Sequence, residues 1–217
     1  MNVAATTRGE RPFAILVDDD ASVREALGEL LDSVGIESIA FSSAHEMLET
    51  DLPDRPSCII LDVRLPGLSG IDLQQRLASS GISTPVVFLT GHGDVAMSVQ
   101  AMKAGAVDFL AKPVRDQSIL DAVTTAIDTD ITRRAAESVS RGNLNLYKTL
   151  TPRERQVLKS VVSGAMNKQI AFDLDISEVT VKLHRSGMMK KMRAVSITHL
   201  LNAWQSLPPG IRLNGSD

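Results

Sequence analysis

The chain has 217 residues, 43% hydrophobic and 23% charged, which suits a globular protein of one large domain or two ordinary ones. Its one cysteine, Cys58, excludes a disulfide framework and a multi-cysteine metal site. No apolar run approaches the ~20 residues that a bilayer span needs, and the opening MNVAATTRGERP lacks a signal-length apolar stretch. A cytoplasmic protein with no membrane contact is expected.

The first 127 residues alternate short apolar runs with helical patterns. Phe13–Val17, Glu37–Phe41, Ser57–Leu61, Pro85–Leu89 and Val107–Leu110 predict five strands, whose nearly continuous apolar character suits a sheet covered on both faces. In the first helix Val23, Leu27, Leu30, Leu31 and Val34 fall on one stripe, and Asp20 is placed to cap it. Ser43 and Ser69 are placed to cap the next helices, and Ile119, Val123 and Ile127 mark the buried face of the last. Strands separated by helices imply a parallel sheet with right-handed crossovers. From 128 to 148 the apolar content thins; Ile127, Ile131, Ala135 and Val139 keep a helical spacing until Gly142 is expected to break it.

From Thr151 onward every pattern is helical. Thr151-Pro152-Arg153-Glu154 combines a capping threonine, a proline at the first helical position and a glutamate three residues on, the signature of a capping box. Val157, Leu158, Val161 and Val162 supply its buried face, and Gly164 ends the helix. Asn167 is expected to cap a short helix with Ile170 and Leu174, and Ser177 a longer one reaching about Met192. Ile197, Leu200, Leu201 and Trp204 stripe a fourth, and Pro208-Pro209-Gly210 is expected to end the fold. The expected layout is a disordered N-terminus over 1–11, an α/β domain over 12–127, a partly helical linker over 128–148, an all-α domain over 149–207 and a tail over 208–217.

Charge divides along the same line. Residues 1–147 carry 12 Lys and Arg against 21 Asp and Glu, a net of −9, whereas 148–204 carry 10 against 4, a net of +6. The basic segment is the natural candidate for nucleic acid.

In the α/β part the polar residues gather where strands end. Asp18-Asp19-Asp20 follows the first strand, Asp62 the third, Thr90 the fourth and Lys112 the fifth. Open parallel sheets bind ligands outside the carboxyl ends of their strands, at the switch in strand order. Carboxylates from neighbouring strands make a hard oxygen site for Mg²⁺. One carboxylate there can act as nucleophile toward a phosphoryl group, whose developing charge the metal and a lysine neutralise.

VDDDASVREAL, LDVRLPGLSGIDL and FLTGHGDVAMSVQAMKAGAVDFLAKP, with their spacing, resemble the FixJ type of receiver domain within the NarL/FixJ response regulators. The resemblance implies a flavodoxin-like (βα)₅ receiver with a parallel five-stranded sheet. It makes Asp62 the phosphoacceptor and assigns Asp18, Asp19, Asp62 and the Arg64 carbonyl to Mg²⁺. It makes Thr90 and Phe109 the switch pair and Lys112 the phosphate-binding lysine, followed by Pro113 at a cis peptide bond. From the residues alone, Phe109 reads as core and Cys58 as a small buried hydrophobe. His45 and His92 read as surface or loop residues.

LTPRERQVL and NKQIAFDLDISEVTVKLHRSGMMKKM likewise resemble the LuxR-type helix-turn-helix, a four-helix domain that binds DNA as a dimer. The longer helix is then the one that enters the major groove. Projected at 100° per residue, it puts Val181, His184, Arg185, Met188 and Met192 on a core face and Val179, Lys182, Leu183, Ser186 and Lys190 on the opposite one. The resemblance implies base contacts from Lys182, Leu183 and Ser186, phosphate contacts from Lys168, Thr180 and Lys190, and dimerisation through Ile197, Leu200 and Leu201. Lys191 and Arg193 are further candidates for phosphate. Asp175 stands where the family uses glycine in the turn, a position Asp tolerates. Gly187, inside the recognition helix, costs up to ~1 kcal/mol relative to Ala, so fraying or DNA-assisted ordering is expected there.

Together these features predict a two-component regulator whose receiver accepts a phosphoryl group from a sensor histidine kinase and thereby controls dimerisation and binding to promoter DNA. RNA polymerase is a further candidate partner. Two other readings use the same acids. One is an aspartate-nucleophile phosphatase of the haloacid dehalogenase type, whose nucleophile lies in the first-strand motif beneath a cap domain that has no counterpart here. The other is a receiver that works without phosphate, against which the complete acidic set argues.

Overall fold

The computed structural model describes residues 11–91 and 95–213. Apart from Arg11, the N-terminus expected to be disordered lies outside the described residues, as do His92 and the end of the tail. The chain divides into two compact units, residues 1–134 and 135–217.

The first unit is a five-stranded parallel sheet of β1 (Phe13–Val17), β2 (Glu37–Phe41), β3 (Ser57–Leu61), β4 (Val86–Thr90) and β5 (Asp108–Ala111), in the order β2-β1-β3-β4-β5. It alternates with α1 (Ala21–Ser33), α2 (Ala44–Leu48), α3 (Gly70–Ser79), α4 (Val95–Lys103) and the start of α5 (Asp116–Lys148). The apolar strands hide a period of two. Ile15, Val17, Ile59, Leu61 and Phe88 join Met47, Ile71, Leu73 and Leu77 on one face. Leu16, Cys58, Ile60, Val87 and Leu89 join Leu27, Leu31, Val123 and Ile127 on the other. Burial raises the Cys58 thiol to about 12, with the nearby Asp130 adding to the effect, so the residue is an inert hydrophobe. The expected strand burial holds for β1, β3 and β4 only. β2, at the sheet edge, exposes three of its five residues, and Val34 of the α1 stripe is exposed past the end of its helix.

The second unit holds the end of α5, then α6 (Pro152–Val162), α7 (Asn167–Asp173), α8 (Glu178–Lys191), α9 (Ile197–Gln205) and α10 (Pro209–Leu213) around one core that includes Val157, Leu158, Ile170, Val181, Met188 and Leu200. Three local expectations are corrected. Gly142 does not break the linker, because α5 runs unbroken to Lys148. Its last turns are held by packing, with Tyr147 buried, Leu144 and Leu146 against the core, and Asn143 Nδ2 donating to Ser206 Oγ at 2.9 Å. These contacts outweigh the ~1 kcal/mol that glycine costs in a helix. Asn167 is not the cap of α7; Met166 is, and its N–H donates to Gln169 Oε1 at 2.8 Å. The Asn167 carbonyl oxygen Oδ1 instead accepts from Arg185 Nη1 at 2.8 Å. Finally, the Pro208-Pro209-Gly210 run starts a fifth helix, α10, with proline at its first position and Ile211 packed on the core.

Candidate functional site

The order β2-β1-β3 reverses direction at β1, and the polar residues meet at the carboxyl edge beside that reversal. Val17 pairs with Leu61, so the next residues, Asp18 and Asp62, emerge side by side; the Asp62 N–H donates to the Val17 carbonyl at 2.9 Å. One carboxylate oxygen from each of Asp18, Asp19 and Asp62 lies within 4.8 Å of the others, a spacing that one divalent cation fits. Lys112 reaches across from the end of β5. Its Nζ is 2.5 Å from Asp18 Oδ2 and 3.5 Å from Asp62 Oδ2. The Lys112 N–H donates to the Thr90 carbonyl at 2.8 Å, tying together the ends of β4 and β5. Lys112–Pro113 is cis.

Charge is crowded here. Asp18 is 3% exposed, and burial raises its carboxyl pKa above the ordinary value, aided by the Asp62 charge. Hydrogen bonds from Lys112 and the Asp20 N–H oppose that rise without cancelling it. Asp20 turns away to cap α1, accepting from the Ser22 N–H at 2.9 Å, as the sequence predicts. Thr90 is buried at the end of β4. Phe109 is half-buried, its ring 6.0 Å from that of Phe88. Arg64 is exposed, and its N–H donates to Asp62 Oδ1 at 3.1 Å.

Two positioning residues escape the sequence reading. Arg24 Nη1 donates to the Asp18 carbonyl at 2.7 Å, one turn into α1, and fixes the loop that carries two of the acids. Gly70 opens α3 so close to β3 that a Cβ there would collide with the Asp62 carbonyl oxygen. Glycine is what lets the helix start directly against the Asp62 backbone.

In the second unit α7, a turn and α8 form a helix-turn-helix. Asp175 takes φ +52° in the turn, the left-handed conformation that its place there requires. Ser177 caps α8 by accepting from the Thr180 N–H at 3.0 Å, and the Thr180 hydroxyl lies 2.8 Å from that of Ser177, within the cap. Lys168, Lys182, Leu183, Ser186 and Lys190 are exposed, Leu183 by 69%.

Gly187 has a local packing reason to be glycine. α8 is continuous through it, and a Cβ there would lie 2.7 Å from Glu154 Oε1. Glu154 is 6% exposed; its carboxylate accepts from the Thr151 N–H at 2.8 Å and from Lys191 Nζ at 2.6 Å. Burial pushes its pKa up, but the hydrogen bonds from Lys191 and from Thr151 outweigh burial and hold it below the ordinary value. Lys191 is therefore engaged within the domain. Of the residues expected to dimerise, Leu200 is fully buried in its own domain's core and Ile197 is exposed, as is the neighbouring Val195.

Residues 14–124 match the response regulator receiver domain, and residues 148–203 match the luxR family of bacterial regulatory proteins. Nodulation protein W of Bradyrhizobium diazoefficiens is 49% identical over 212 residues, 98% of this chain and 92% of that protein. The response regulator protein TodT of Pseudomonas putida is 45% identical over 193 residues, 88% of this chain and 85% of that one. Among solved structures, the response regulator StyR aligns with a TM-score of 0.77 at 44% identity, covering 90% of this chain and 98% of that one. Full-length FixJ from B. japonicum aligns at 0.55 and 37%, covering 93% and 98%. A parallel sheet with an acidic carboxyl edge, followed by a helix-turn-helix, is the make-up of a response regulator with a DNA-binding output. The chain belongs to the NarL/FixJ family of two-component response regulators, which control transcription. Its receiver implies a sensor kinase as partner, and its LuxR-type domain implies DNA. No helix among the described residues is long and apolar enough to cross a membrane.

Proposed function

We propose that Asp62 accepts a phosphoryl group from a phosphohistidine of a sensor kinase in the cytoplasm, and that this controls binding to promoter DNA. The observation that carries the reading is the meeting of the Asp18, Asp19 and Asp62 carboxylates within 4.8 Å, with Lys112 Nζ 3.5 Å from Asp62. An Asp62 carboxylate oxygen attacks phosphorus, the bond to the donor nitrogen breaks, and an acyl phosphate forms without net redox change. Asp18, Asp19, Asp62 and the Arg64 carbonyl would hold Mg²⁺, which would supply charge neutralisation at the phosphoryl oxygens. Lys112 exchanges part of its contact with Asp18 for a phosphoryl oxygen, Thr90 donates its hydroxyl to another, and Phe109 moves inward behind it.

In the helical domain Lys182, Leu183 and Ser186 face base edges, while Lys168, Thr180 and Lys190 hold phosphates. Dimerisation uses Ile197 and Leu201, with Val195 beside them, and RNA polymerase is met on the promoter. The switch requires the acyl phosphate to favour the DNA-binding state by a few kcal/mol. Asp62→Asn tests it. The variant is expected to take no phosphoryl label from a small phosphodonor with Mg²⁺ and to lose the donor-dependent gain in DNA affinity. A variant that still responds removes Asp62 from the mechanism.

A further inference from the structure

The exposed face of α8 carries two large apolar side chains where a water-facing helix surface favours polar ones. Val179 is 67% exposed and Leu183 is 69% exposed. They stand four residues apart, hence one above the other on a single helix face, about 5–6 Å between Cβ atoms. Exposed Lys182 flanks them, Ser186 continues the face with a small side chain, and exposed Lys190 ends it. The face thus runs from apolar at the amino end, through small and polar, to cationic at the carboxyl end. Their neighbours give them no cover: the core-facing side of α8 is occupied by Val181 and Met188 instead.

Resting on the DNA-binding reading above, we propose that Val179 and Leu183 form an apolar ledge that selects thymine through its 5-methyl group. Exposed Lys182 and Lys190 on this face, in a segment of net charge +6 over residues 148–204, suit it to a polyanion. The amino-terminal residues of a recognition helix are the ones that meet base edges, and the thymine methyl is the apolar feature of the major groove. Lys190, at the far end, then falls to the phosphate backbone. The spacing sets the register. With successive bases about 3.4 Å apart, a ledge of 5–6 Å spans one to two base steps. The half-site therefore carries two thymines within two steps of each other, on either strand. Lys182, to one side of the two apolar groups, is exposed and can reach a guanine edge beside them.

The test begins with selection of bound duplexes from a randomised library by the full chain, with beryllofluoride and Mg²⁺ and at fixed salt. Binding of the selected duplex is then compared with that of the same duplex carrying deoxyuridine for each half-site thymine, a change that removes only the methyl group. The expected loss is about fourfold per methyl, the factor that burial of one such group sets. In Val179→Ala/Leu183→Ala the loss on deoxyuridine substitution falls toward onefold, while the dependence of affinity on salt is unchanged. The deoxyuridine arm uses the natural protein and so stands even where the double variant folds poorly. Sequence-specific binding that is indifferent to the methyl groups overturns the ledge and leaves DNA binding intact. Failure to bind any duplex above the non-specific level overturns the DNA-binding reading itself. A double variant that loses self-association but keeps methyl sensitivity assigns these side chains to a protein contact and likewise overturns the proposal.

Discussion

Asp18 in the receiver and Glu154 in the helical domain are both buried acids that accept a lysine and a backbone N–H, yet their pKa values move in opposite directions. Glu154 is completed by its surroundings. The Thr151 N–H and Lys191 satisfy it, the missing Cβ of Gly187 makes room for it, and its charge is stabilised. Asp18 is left incomplete. Burial outweighs its hydrogen bonds, and the Asp62 carboxylate crowds it further. A structural acid is matched within the fold, whereas an acid kept for ligand chemistry waits for charge from outside. Asp130, at the opposite end of β3 from Asp62, is a second matched acid. It is 0% exposed and accepts from the Ser57 N–H at 3.0 Å, from Arg133 Nη2 at 2.5 Å and from Arg134 Nε at 2.6 Å.

If matching is what distinguishes these sites, removing a matched acid should hurt most where its partners are deepest. Asp130→Ala leaves a buried Ser57 N–H without its acceptor and takes one partner from each of Arg133 and Arg134, of which Arg134 keeps Asp54; at 27% side-chain exposure both can also turn to water. A loss of about 2–3 kcal/mol is expected in urea unfolding, below the cost of stranding a fully buried charge. A loss under about 0.5 kcal/mol would mean that the cluster is decoration and break the comparison.

Glu154 gives a sharper test because its cost and its space are separable. Glu154→Ala should cost about 2 kcal/mol through the capping box and the Lys191 contact. Gly187→Ala should destabilise the natural protein by about 1 kcal/mol, since the new methyl displaces a carboxylate that is hydrogen-bonded in place. In the Glu154→Ala background the same change should stabilise by up to about 1 kcal/mol, as helix propensity then acts unopposed. The same sign in both backgrounds would show that Gly187 does not exist for Glu154. The pH dependence follows from the lowered pKa. The stability gained from ionised Glu154 is present above its ordinary 4.5 and is lost as pH falls through the lower folded value. The gap in stability between the natural protein and Glu154→Gln should therefore narrow in acid.

Much of this was legible in the residues, and the failures have a common physical cause. Caps at Asp20, Ser43, Ser69, Thr151 and Ser177 depend on neighbours within a few positions, so local pattern finds them. The acids at the strand ends could be gathered because parallel strands all finish on one edge. What needs a distant partner stayed hidden. Gly142 reads as a helix end because the contacts that carry α5 past it, those of Asn143 and Tyr147, are with residues distant in the chain. Gly187 looked like a weakness because Glu154, which needs its space, is 33 positions away in the chain. Leu200 fits an amphipathic stripe equally well whether the stripe meets a second copy or its own domain, and only burial separates the two. The opening glycine of α3 does carry a local signal: a glycine directly after a capping serine, where helix formers are favoured, marks a close backbone approach.

The smallest expected effect is the most diagnostic, because its sign is opposite to the usual one. Most substitutions of buried hydrogen-bonded residues destabilise. Asp18→Asn removes a charge that burial and Asp62 disfavour, and its single amide oxygen keeps one of the two acceptor contacts, either that of Oδ2 with Lys112 or that of Oδ1 with the Asp20 N–H. Without divalent cations it should therefore raise the thermal midpoint by about 2–5 °C, what roughly 0.5–1 kcal/mol amounts to in a domain of this size. Adding Mg²⁺ at ten times its dissociation constant should then stabilise the natural protein by about 1.4 kcal/mol and the variant far less, so that their order reverses. Calorimetry with and without MgCl₂ reads both effects. An Asp18→Asn protein less stable than its parent in the absence of metal would mean that Asp18 is matched after all, and the contrast with Glu154 would collapse.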